Sequence, residues 1–195
     1  MGKIEHFGQY GVGFLGLFER KITIKFAYVI FFYYLCTQNV QNREGQTMSK
    51  EEKYQASLPQ IESLVSGETD FIANMANISA ALHEAFGFWW TGFYRVEGKE
   101  LVLGPFQGPV ACTRIPFGRG VCGTAWERGE TIIVPNVHEF AGHIACSSAS
   151  KSEIVVPVFR NGQVIAVLDI DSAAYNTFDA IDQRYLEKLF QQEGK

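Results

Sequence analysis

Three cysteines, Cys112, Cys122 and Cys146, stand in settings unlike those of core cysteines. A lone cysteine is ordinarily a small buried hydrophobe. Cys146 fits that description least, because Gly142-His-Ile-Ala-Cys-Ser-Ser-Ala-Ser-Lys-Ser-Glu153 is too small and polar to be core. Cys122 opens a predicted helix, where the positive end of the dipole would favour a thiolate. Cys112 lies on a short strand-like run before the turn Pro116-Phe-Gly-Arg-Gly120. No two of them form a CxxC pair. Together with His143 they offer zinc-type ligands, but scattered single cysteines match paired zinc knuckles poorly, and no metal is expected.

Carboxylates form the second group. Asp169 and Asp171 interrupt an apolar run, and residues two apart on a strand share a face. Val164, Ala166, Leu168 and Ile170 then face the other way. The two carboxyls would lie about 7 Å apart, and near a core they repel unless something cationic or protonated joins them. Glu153 begins the run that pairs back across the turn at Asn161-Gly162, which brings it toward both aspartates. Such a trio suits a small cation such as an α-ammonium group. Trp90 and Tyr94, four apart and so on one face of an earlier aromatic strand, could wall the same pocket.

Elements able to position these residues follow from periodicity. Apolar residues three or four apart predict helices over 50–65 and 71–86, with Pro59 as a kink or restart, Asp70 as a cap and Gly87 as a stop. Strands are predicted at 89–96 and 100–103, with Gly104-Pro105 as a break, then at 111–115, 131–134, 154–159 and 163–170. Short helical runs are predicted at 121–128 and 175–190. Strands joined by hairpins, with helices grouped at both ends, predict an α+β fold with a central antiparallel sheet.

Composition sets the bounds. The 195 residues are 47% hydrophobic, with 17 basic and 21 acidic side chains. That content excludes bulk disorder, and the length supports one core without staples. A pI near 5.6 lacks the basic footprint that nucleic-acid binding needs. A seam falls at Met48. Residues 1–47 carry five basic and three acidic groups, and residues 48–195 carry twelve and eighteen. The tail's apolar run, 26–35, is too short to span a membrane. It reads as an early-called start, a surface anchor or an atypical export signal, and Cys36 within it as incidental. The working domain is 48–195, and no membrane association is expected of it.

Taken in order, Trp89-Trp-Thr-Gly-Phe-Tyr94, Gly104-Pro-Phe-Gln-Gly108, Cys112-Thr-Arg-Ile, Gly118-Arg-Gly-Val-Cys122-Gly-Thr-Ala, Gly142-His-Ile-Ala-Cys146 and Ser152-Glu153-Ile-Val-Val-Pro resemble the free methionine-(R)-sulfoxide reductases, small enzymes of the GAF fold. The resemblance covers about 50–190 and leaves the tail out. Ser147 stands where the family more often has Asp. The resemblance implies a single GAF domain with Cys146 as nucleophile and Cys112 as the resolving cysteine that closes a disulfide with it. Cys122 is then an auxiliary cysteine. Glu153, Asp169 and Asp171 hold the substrate, and Trp90 and Tyr94 form its aromatic pocket.

The implied reaction is reduction of free methionine sulfoxide through a Cys146 sulfenic acid, the reversible first rung of sulfur oxidation. No cofactor is bound. NADPH-fed thioredoxin restores the thiols by exchange. A homodimer is implied, and cycling cysteines suit a cytoplasmic setting. The alternative is a non-catalytic GAF module that senses a cyclic-nucleotide-type ligand, since fold alone does not settle function. That reading leaves the cysteine set unexplained.

Overall fold

The structure, a computed structural model, describes residues 48–144, 146 and 148–190. The tail with Cys36, and Ser147, lie outside the described residues. Met48–Lys195 forms one compact unit.

Helix α1 (Lys50–Val65) starts at a capping box. The Ser49 side chain accepts from the Glu52 backbone, and Glu52 reaches back to Ser49. It runs through Pro59 as one helix. Pro59 is on the exposed side, where water can take the carbonyl that the missing N–H releases. Helix α2 (Phe71–Phe86) is capped by Asp70, whose carboxylate accepts from the Ala73 backbone. It ends on Gly87 in the left-handed conformation. Both helices have the predicted bounds.

Strands β1 (Trp90–Glu97), β2 (Glu100–Gln107) and β3 (Arg114–Pro116) are followed by α3 (Gly120–Arg128) and β4 (Ile132–Val134). Strands β5 (Ser152–Arg160) and β6 (Gln163–Ser172) form the predicted hairpin, and α4 (Ala180–Phe190) closes the chain. All pairings are antiparallel, in the order β3-β2-β1-β6-β5-β4. This is the predicted α+β architecture. Among the described residues no helix is long and apolar enough to cross a membrane.

Four local expectations need correction. Gly104-Pro105 does not break β2, which continues to Gln107 because a register shift between Gly92 and Tyr94 absorbs the irregularity. The strand predicted over 111–115 shrinks to Arg114–Pro116, since Ala111 and Cys112 are held in a loop instead. Helix α4 starts at Ala180 rather than 175, where Asp182 accepts from the Asp179 backbone. Val164 packs with Val167 and Tyr94 rather than opposite them, because a register shift between Val158 and Phe159 turns the strand over at the hairpin end.

The sheet separates two layers. Helix α2 packs on β1 and β2, with α1 beside it and α4 against β5. A polar network around the buried Asp182 ties α1 to α4. Tyr54 donates to Asp182 at 2.9 Å, and the Lys50 ammonium bonds Asp179 at 2.8 Å and also Asp182. On the other face lie α3 and the long connections. There Trp90, Tyr94, Val121, Cys122, Val155 and Val167 share one apolar cluster.

Candidate active site

The acidic row is built by strand register. Glu153 on β5 pairs with Asp171 on β6, which pairs with Trp90 on β1. One step along, Val155 pairs with Asp169, and Asp169 with Gly92. Alternation then points Trp90, Tyr94, Glu153, Asp169 and Asp171 to the face that α3 covers. Trp90 and Tyr94 stack with ring centroids 6.0 Å apart, and both are buried. Helix α3 delivers Cys122 to the same point, its sulfur 3.9 Å from a Glu153 oxygen.

Loops close the site. Cys112 follows β2, and Cys146 lies in the long connection before β5. The two are joined by a disulfide with Cα atoms 5.4 Å apart, across 34 residues of sequence. Cys146 lines one small cavity with Cys122, His143, Glu153, Asp169 and Asp171. It lines a second with Trp90, Tyr94, Asp169 and Asp171. Their volumes are about 30 and 20 Å³, room for one or two waters. Every candidate residue named from the sequence therefore meets at one place.

Electrostatics of the cluster favour protons. Glu153 and Asp169 are 6% and 7% exposed. Burial, then the charges of the other aspartates, raises Glu153 well above the ordinary carboxyl range. Burial, then Asp171, does the same to Asp169. Asp171 is pushed up to about 6 by burial, against a hydrogen bond from Ser150 that favours its charged form. One Asp169 oxygen is buried without a hydrogen-bond partner, an acceptor whose desolvation nothing here compensates. Tyr94 is raised by burial and then by Asp169.

Cys122 departs from the expectation of a helix-dipole thiolate. Its thiol is raised well above its usual value, by burial first and then by Asp169 and Glu153. Desolvation beside two carboxyls outweighs the half-charge at a helix start. His143 approaches Glu153 at 3.8 Å. Burial and then His138 lower the imidazole, while Glu153 is raised, so the contact joins neutral partners rather than an ion pair. In the disulfide form Cys112 and Cys146 offer no thiolate to the zinc set read from the sequence. A different trio, Cys122, Glu153 and Asp169, brings its donor atoms within 4.8 Å of one another. Buried acids drawn together in this way suit a protonated network or a bound cation.

Three polar contacts were not legible in advance. Ser150, 4% exposed, supports Asp171. It is one serine among several in its segment, so composition alone does not mark it. The Tyr94 hydroxyl donates to the Cys112 carbonyl at 3.0 Å, and the Trp90 indole to the Pro109 carbonyl at 3.1 Å.

The GAF domain profile matches residues 68–192. GAF domain-containing protein A of Dictyostelium discoideum is 61% identical over 142 residues, covering 72% of this chain and 90% of the relative. The free methionine-R-sulfoxide reductase of Escherichia coli is 49% identical over 149 residues, covering 76% of this chain and 90% of the relative. The crystal structure of free methionine-R-sulfoxide reductase from Neisseria meningitidis in complex with its substrate superposes with a TM-score of 0.72 at 56% identity, covering 74% of this chain and 87% of that one. This chain belongs to the GAF-domain family of free methionine-R-sulfoxide reductases.

Proposed function

We propose that the chain reduces free L-methionine (R)-S-oxide to methionine, with Cys146 as nucleophile. The observation that carries this reading is a small cavity lined by Cys146, the disulfide partner of Cys112, together with the buried Glu153 and Asp169 and the partly exposed Asp171. A zwitterionic amino acid suits that cavity, because its ammonium would compensate carboxylates that otherwise hold protons. A peptide-bound residue carries no such ammonium.

The Cys146 thiolate attacks the sulfoxide sulfur. The sulfoxide oxygen takes a proton from a carboxyl whose pKa burial has raised, Glu153 or Asp169. The hydroxyl then passes from the substrate sulfur to Cys146 Sγ as the substrate's S–O bond and the new S–S bond both break, which releases methionine and leaves Cys146 as a sulfenic acid. The Cys112 thiolate then displaces that oxygen as water, and the disulfide forms. An external dithiol such as NADPH-fed thioredoxin attacks the disulfide and returns both thiols. Trp90 and Tyr94 supply the apolar wall. In the disulfide form the cavity holds only a water or two, so substrate enters after reduction releases the Cys146 segment. Cys122, buried and protonated, serves as a neutral neighbour of Glu153 rather than as a second nucleophile. The reading extends to a homodimer working in a reducing cytoplasm.

The test is a thioredoxin-coupled NADPH assay with separated epimers of free and N-acetylated methionine sulfoxide. Only the free R epimer should be turned over, and Cys146→Ser should abolish turnover. Full activity in that variant would move the nucleophile elsewhere. Tight nucleotide binding without NADPH consumption would favour the sensor reading.

A further inference from the structure

The motif Gly104-Pro-Phe-Gln-Gly108 and the polar ends of Trp90 and Tyr94 have no part in the chemistry above. The structure connects them. Segment 108–112 follows β2 and ends at Cys112, and the aromatic pair holds it at both ends. The Trp90 indole donates to the Pro109 carbonyl at 3.1 Å, and the Tyr94 hydroxyl donates to the Cys112 carbonyl at 3.0 Å. Both rings are buried, at 4% and 1% exposure, so these donors sit on rigid supports. Gly108 lets the segment lie down on Trp90. Its φ is +127°, and a Cβ there would stand 2.8 Å from Trp90 Cδ1 and 2.9 Å from the Trp89 carbonyl oxygen. A side chain before proline at that φ is strained as well as crowded.

We propose that Gly108, Trp90 and Tyr94 form a clamp that fixes Cys112 at the point where it meets Cys146. The inference rests on the reductase reading for its place in the cycle, where Cys112 must meet the Cys146 sulfenic acid. Its physical content is independent of substrate. Holding one thiol in place raises its effective concentration at the other, so the clamp favours the disulfide over the open dithiol. Gly108 acts through the segment and is a positioning residue. Trp90 and Tyr94 carry the aromatic pocket and the clamp together, which couples the substrate wall to the resolving cysteine.

The test is the equilibrium of the full chain with glutathione, in which the dithiol and glutathione disulfide give the protein disulfide and two glutathione thiols. The Cys112–Cys146 state is read by quenching and mass spectrometry. Gly108→Ala should lower the equilibrium constant for disulfide formation at least tenfold. Tyr94→Phe, which keeps the ring, should lower it about fivefold, the worth of one ordinary hydrogen bond. Near-UV circular dichroism reports whether each variant retains native packing, and Tyr94→Phe carries the test should Gly108→Ala fail to fold. Constants within twofold of wild type in folded variants would overturn the clamp. Because no methionine sulfoxide is present, a chain inactive as a reductase would leave this measurement intact. An active chain with unshifted constants would sink the clamp alone.

Discussion

Replacing Asp171 by Asn should make the oxidised protein more stable at neutral pH, although it removes a polar contact in the site. The carboxyl is raised from 3.8 to about 6, by burial first, with the Ser150 hydrogen bond opposing. A carboxyl raised on folding gives stability that is fully present below its unfolded pKa and is lost as pH rises through the folded one. The window here is 3.8 to about 6. Above it the native state holds an anion that the unfolded chain would carry more easily. A shift of this size corresponds to about 3 kcal/mol at 1.36 kcal/mol per pH unit. Asp171 keeps a partly exposed edge, so solvent screening makes that figure an upper bound. Asn removes the charge and keeps the shape. Urea unfolding of both proteins at pH 4, 5.5 and 7 should show a gain near zero at pH 4 and about 2 kcal/mol at pH 7. The same variant should bind an amino-acid substrate more weakly, since it has one carboxylate fewer for the ammonium. A variant no more stable than wild type at pH 7, or a gain that does not shrink in acid, would refute the reasoning.

Two further outcomes follow from packing and chain entropy. Reducing the Cys112–Cys146 disulfide opens a loop of 34 residues, which should lower stability by about 4 kcal/mol on the chain-entropy relation; denaturation with and without dithiothreitol measures it, and identical midpoints would contradict the relation here. Gly92→Ala would place a Cβ against Phe106 Cβ, 2.6 Å from Trp90 Cη2 and 2.9 Å from the Phe106 Cα, an overpacking worth about 1–3 kcal/mol; an unchanged urea midpoint would contradict it.

Much of the fold was legible because it is written locally. The bounds of α1 and α2 follow from apolar spacing, the Asp70 cap and Gly87, all within a few residues of the feature they set. The β5–β6 hairpin follows from two alternating runs around Asn161-Gly162, both of which adopt positive φ. That hairpin made the meeting of Glu153 with Asp169 and Asp171 predictable from register alone. Two of the misreadings share one cause. Gly104-Pro105 is a break by local propensity, yet it lies within a strand because the two residues fill, as a bulge, the one-residue interval between Gly92 and Tyr94 on the paired strand. The orientation of Val164 turned on a second such shift. Bulges are properties of a strand pair, and one chain segment does not announce them.

Residue types and their order determined which groups this protein has for chemistry, and periodicity determined that two aspartates share a face. Those inferences need only the chain's own repeat of two or 3.6 residues. Tertiary structure decided the state of those groups. Cys122 stands at a helix start, which by itself favours a thiolate, yet it is held protonated by burial beside Asp169 and Glu153, which are remote in the chain. A pKa is set by whatever lies within a few ångströms and by how much water is excluded, and only the folded chain specifies either.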